Sequence, residues 1–123
     1  MKGQEEITVI VDNFEKAVSI LENIGCRVKS YQETKRELWM MDGVEITIDE
    51  WPFLEPLVEI EGKSEAEVKD ISERLGFNYK NAFFGCVSTN YSKKYGIDEY
   101  FINNEIPKIV FDMKNPFINI KPE

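Results

Sequence analysis

Between Lys35 and Glu61 one arginine and several carboxylates recur at strand spacing, and these residue types can hold a divalent cation and a phosphate together. Val44, Ile46 and Ile48 alternate with Glu45, Thr47 and Asp49, and Val58 and Ile60 alternate with Leu57, Glu59 and Glu61. A period of two is the mark of a strand with one buried face. Asp42-Gly43 before this run is a hairpin signal. If those two residues form the whole loop, Met41 faces Val44, Trp39 faces Ile46, Leu38 faces Thr47 and Arg36 faces Asp49. Paired residues share a face. One face then carries Trp39, Ile46 and Ile48, with Val58 and Ile60. The other carries Arg36, Leu38, Met40, Glu45, Thr47 and Asp49, joined by Glu59 and Glu61 if the strand Pro56 to Glu61 lies alongside.

A row of charges is also what the wet face of an antiparallel sheet carries with no site at all, and Arg–Asp pairs there are worth little. What resists that reading is the concentration of carboxylates. Glu59 and Glu61 repel each other at i, i+2, and a divalent cation between them relieves it. The chain has no histidine, which removes the usual general base and the commonest metal ligand. Any metal is therefore expected to be oxygen-bound, as Mg²⁺, Mn²⁺ or Ca²⁺ are, rather than zinc. The net charge of -8 disfavours nucleic acid and anionic membranes as partners. Cys26 and Cys86 stand far apart with no CxxC spacing, so the expectation is free, buried thiols in a reducing cytoplasm. No segment is apolar enough over enough length to span a bilayer, and none resembles a secretory signal.

The elements that must position this hairpin are legible in part. The 123 residues are read as a single α+β domain, 1–123. Ile7 to Val11 is β-branched and reads as a strand. Asp12 with Glu15 suggests a capping box, and Phe14, Ala17, Val18, Leu21 and Ile24 continue it as an amphipathic helix closed by Gly25. Arg27 to Met41 reads as one long strand. Ser64 with Glu67 opens a second helix with Val68, Ile71 and Leu75 inward, ending at Gly76. Both helices are expected to cover the apolar sheet face. Short helices follow around Ser88 to Tyr95 and Asp98 to Asn104, then a last strand from Lys108 to Met113 and an irregular tail. The aromatics from Phe83 to Phe101 suggest packing rather than a base-stacking platform, given the net charge. Gly62-Lys63-Ser64 lacks the preceding glycine of a P-loop, and Ser64 is accounted for as a cap.

At Lys35-Arg36-Glu37-Leu38-Trp39, at Asp42-Gly43-Val44-Glu45-Ile46-Thr47-Ile48-Asp49 and at Leu57-Val58-Glu59-Ile60-Glu61-Gly62 the chain resembles the CYTH superfamily, the triphosphate tunnel metalloenzymes. The resemblance runs from about residue 5 to residue 100. It implies an antiparallel sheet forming a partial, half tunnel barrel with helices on its outer face. It implies Mg²⁺ or Mn²⁺ held by Asp49, Glu59 and Glu61, with Glu59 and Arg36 in catalysis. Lys35, Arg36, Glu45 and Thr47 would contact a phosphorylated small molecule, a triphosphate or nucleotide. The family's ExExK strand is absent, so the chain is expected to match the C-terminal part of that domain. Lys35 falls opposite Arg36 in a regular strand, and only a bulge would bring it round. About five strands cannot close a barrel, which suggests a homodimer that completes it. The implied activity is that of a class IV adenylyl cyclase or a triphosphatase in the cytoplasm. The alternative is a non-catalytic module, which binds a phosphate ligand or pairs with a second copy.

Overall fold

The computed structural model describes Glu5 and residues 7–120. The hairpin is its centre. β2 (Lys35–Met41), β3 (Val44–Glu50) and β4 (Leu57–Glu61) form a three-stranded antiparallel sheet in the order β2-β3-β4. The β2–β3 register runs from Met41 opposite Val44 to Arg36 opposite Asp49 and Lys35 opposite Glu50, as the two-residue loop requires. Asp42 and Gly43 both have positive φ, 51° and 80°, the type I′ geometry that suits the twist of a hairpin.

α2 (Glu65–Arg74) covers one end of the apolar face. Ser64 caps it by accepting from the Glu67 N–H. The Glu67 carboxylate accepts in return from the Lys63 N–H at 2.8 Å, one residue before the position a capping box uses. Ile71 packs on Val44 and Ile46, with Met41 and Ile60 at the margin. Arg74 reaches the hairpin turn and pairs with Asp42 at 2.7 Å. Leu75, expected inward, keeps 40% of its surface exposed.

The larger core lies beyond the end of the sheet, around the loop Trp51–Pro56. α3 (Val87–Tyr95) and α4 (Glu99–Asn104) gather Tyr91, Ile97, Ile102, Ile106, Ile109 and Phe117 into one buried cluster, with Trp51, Phe53 and Leu54 against it. Tyr91 donates to the Pro52 carbonyl at 2.8 Å, Tyr95 donates to the Phe53 carbonyl, and Lys94 pairs with Glu55 at 2.8 Å. These contacts hold Phe53 at φ 65°, a left-handed conformation that a bulky residue adopts only when its surroundings impose it. Phe117 stacks on Tyr91 and Tyr95, so the tail read as irregular is a structural part of the core.

Several expectations are corrected. The long strand from Arg27 is two pieces: β1 (Tyr31–Gln32) and then β2. β1 pairs with β5 (Lys108–Ile109), and it pairs in parallel, so the last strand stays outside the antiparallel sheet. Ile7 to Val11 forms no strand; no edge receives it, and a β-branched run without a ladder partner has nothing to fix it. α1 (Phe14–Asn23) is present, but its cap is Asn13, which accepts from the Lys16 N–H, so Asp12 and Glu15 do not form a capping box. α1 buries none of its residues, leaving α2 alone on the sheet. Among the described residues no barrel closes. Cys26 and Cys86 are free but exposed rather than buried. No helix of the described residues is long and apolar enough to cross a membrane.

Candidate functional site

The sheet register assembles the charged face residue by residue. Arg36 on β2 lies opposite Asp49 on β3. On β4, Glu59 lies opposite Thr47, and Glu61 lies opposite Glu45. Arg36, Glu45, Thr47, Asp49, Glu59 and Glu61 therefore share one side of the sheet. The β-branched Ile46, Ile48, Val58 and Ile60 point to the other side and set this alternation.

Arg36 binds the Asp49 carboxylate in a fork, Nε to Oδ1 and Nη2 to Oδ2, both at 2.7 Å. Its Nη2 also reaches Glu59 Oε2 at 3.1 Å. The planar guanidinium matches a carboxylate edge, so this is the strong form of an ion pair. The hydrogen bond to Asp49 raises the Arg36 pKa further above its already high ordinary value. Thr47 Oγ1 donates to Asp49 Oδ2 at 3.4 Å, a long contact. Thr47 and Asp49 are buried, although they lie on the polar face, because Arg36 and the neighbouring long side chains roof over them.

The two ends of the face differ. At the Arg36 end, charge is matched. At the other end Glu45 and Glu61 stand directly opposite each other, and neither is in an ion pair among the described residues. Like charges in directly opposed positions destabilise a sheet. One guanidinium serves four carboxylates, so the face is net acidic and attractive to cations. Among the described residues, no three carboxylate or thiol side chains lie close enough together to hold a metal ion. The oxygen donors suit Mg²⁺ or Mn²⁺ by type, but this wall does not complete a coordination shell alone.

Lys35 is not on this face. Its Nζ sits over the Phe111 ring, 4.6 Å from the centroid, on the Glu50 side of the sheet. Leu38 and Met40, by contrast, lie among the charges and are 57% and 62% exposed. No family model, curated protein or solved structure matches the chain.

A second polar group lies apart from the sheet and was not anticipated. Cys86 Sγ lies 2.8 Å from Ser88 Oγ, and Ser88 donates to Glu99 at 3.2 Å. The contact with Ser88 lowers the Cys86 pKa below the usual thiol value. The only hint in the sequence is Cys-Val-Ser at a helix start, which many structural caps share.

Proposed function

We propose that the charged sheet face is one wall of a CYTH-like site for a divalent cation and a triphosphate, completed by a second wall that this three-stranded sheet does not itself supply. Glu59 and Glu61 are the carboxylates this wall offers to Mg²⁺ or Mn²⁺, with Glu45 opposite Glu61 and the remaining ligands left to the second wall. Arg36 is its phosphate contact, with Thr47 beneath. Asp49 acts through Arg36: its fork holds the guanidinium in one orientation over the face. The observation that carries this reading is the directly opposed Glu45–Glu61 pair, in no ion pair among the described residues, beside a fixed arginine. Repulsion across a strand pair is a cost that a bound cation removes. On the resemblance, the chemistry supplied with the metal is triphosphate hydrolysis or nucleotide cyclisation. The test is turnover of ATP, thiamine triphosphate and tripolyphosphate with Mg²⁺ or Mn²⁺, in wild type and in Glu59→Gln. Product formation that the substitution abolishes, with the fold intact, supports catalysis.

The second reading is a non-catalytic module that binds the same ligand or pairs with a second copy through this face. Exposed Leu38 and Met40 on the edge strand of this face favour it, because exposed apolar side chains beside charges suit burial against a protein. Ligand binding without product, or a dimer broken by Leu38→Asp, separates it from the enzyme.

A further inference from the structure

The side of the sheet opposite the charged face is only half covered. Beyond α2, the side chains of Trp39, Ile48, Val58, Leu75 and Phe77 line an open apolar groove of about 400 Å³. Trp39 is 57% exposed there. The same chain also carries an apolar surface with no partner. Phe14 and Leu21 lie along α1, Ile24 caps its C-terminus, and Ile7, Val9 and Ile10 precede it, all half to fully exposed. α1 buries no residue, and among the described residues no hydrogen bond ties residues 7–28 to the rest of the chain.

We infer that the groove receives α1 of a second copy, each arm crossing to the other molecule in a reciprocal, two-fold exchange. Each surface supplies what the other lacks: an amphipathic helix without a sheet, and a sheet face missing its second helix. The β-branched run Ile7–Val11 is likewise a strand without a ladder, and the sheet's outer edges at β2 and β4 are unpaired among the described residues. The chain's own groove stays open although its own arm is available. The connection Cys26–Ser30 has no regular secondary structure and is mostly exposed. At about 3.4 Å per residue its five residues can reach at most roughly 17 Å, enough to carry the helix away from its own body. A large apolar side chain of this kind carries on the order of 60–120 Å² of apolar surface. These six side chains therefore offer on the order of 350–700 Å², approaching the ~800 Å² per partner of a standard interface. Exchange makes two such contacts per dimer. This inference is independent of the charged face, which lies on the other side of the sheet.

Light scattering on the purified full chain tests it. The expected mass is twice 14.4 kDa. Phe14→Asp with Leu21→Asp should shift the wild type to monomer, weakening association roughly a hundredfold or more. This double variant leaves the body untouched, because both side chains are exposed and α1 buries none of its residues. Val58→Asp in the groove should also give a monomer. An equimolar mixture of the arm variant and the groove variant should recover a dimer, since one intact arm still meets one intact groove. A wild type that is monomeric at the highest attainable concentration overturns the inference, whether its groove is empty or filled by its own arm. A dimer unmoved by the arm substitutions also overturns it and places the interface elsewhere.

Discussion

Arg36 and Asp49 form one ion pair whose two halves differ sharply in environment, and removing either half should therefore cost different amounts. The Asp49 side chain is 8% exposed and that of Arg36 54%. In Asp49→Asn the guanidinium keeps Glu59 as a partner and has water on its open side. That loss belongs with partly exposed pairs and should be about 0.5–1 kcal/mol. In Arg36→Met the apolar stem remains, but Asp49 is left covered with only the long Thr47 contact and with Glu59 nearby. An unsatisfied charged group costs more than the 1–3 kcal/mol of a neutral one, and breaking a fully buried pair costs 3–5. Because the roof over Asp49 is itself half exposed, about 2 kcal/mol is expected. The double variant removes the stranded charge and should cost about 1–2 kcal/mol less than the two single losses together. Urea unfolding followed by tryptophan fluorescence measures all three, since Trp39 is in the same strand as Arg36. With a slope of about 1–3 kcal/mol/M, the Arg36→Met midpoint should fall by roughly 1 M. An Asp49→Asn loss equal to or larger than that of Arg36→Met would refute the reasoning, as would strictly additive losses.

The same unfolding assay reaches the second core. Phe117→Ala empties a fully enclosed ring site stacked on Tyr91 and Tyr95 and should cost about 3–5 kcal/mol; a loss under about 1 kcal/mol would mean the tail does not pack there. Tyr91→Phe leaves the Pro52 carbonyl without its donor and should cost about 1–2 kcal/mol at neutral pH. Burial raises the Tyr91 pKa well above its ordinary 10.0, so the phenol stays neutral in the fold while it ionises in the unfolded chain. Its contribution is complete below pH 10 and declines as pH rises beyond that, by up to about 1.4 kcal/mol per pH unit. Tyr91→Phe should flatten that alkaline decline; an unchanged pH profile would contradict the burial. Gly43→Ala puts a side chain at φ 80° in the turn and should cost about 1–2 kcal/mol, read as a lowered melting temperature.

The sheet was legible because its signal is local and redundant. Asp42-Gly43 dictates the loop, the loop dictates the register, and alternation in β3 and β4 confirms which side each residue takes. The helices were legible from caps and spacing. What surrounds them was not. Nothing in Ile7–Val11 states whether an edge is available to pair with it, and strand propensity alone did not supply one. Phe117 reads as one more aromatic in a proline-containing tail, and its place between two tyrosines depends on how α3 sits against the Trp51–Pro56 loop. Within the site, the set of residues followed from register. Its division into a matched end, where Arg36 closes on Asp49, and an unmatched end, where Glu45 meets Glu61, depends on side-chain reach, which register does not specify.

The most direct measurement of the central claim is calorimetric titration of tripolyphosphate into the full chain with and without Mn²⁺. The account predicts saturable binding that requires the cation and is lost in Glu59→Gln. It also predicts that binding weakens in Arg36→Met. Absence of binding under any condition would contradict the claim, and so would binding that needs no cation or that Glu59→Gln leaves intact.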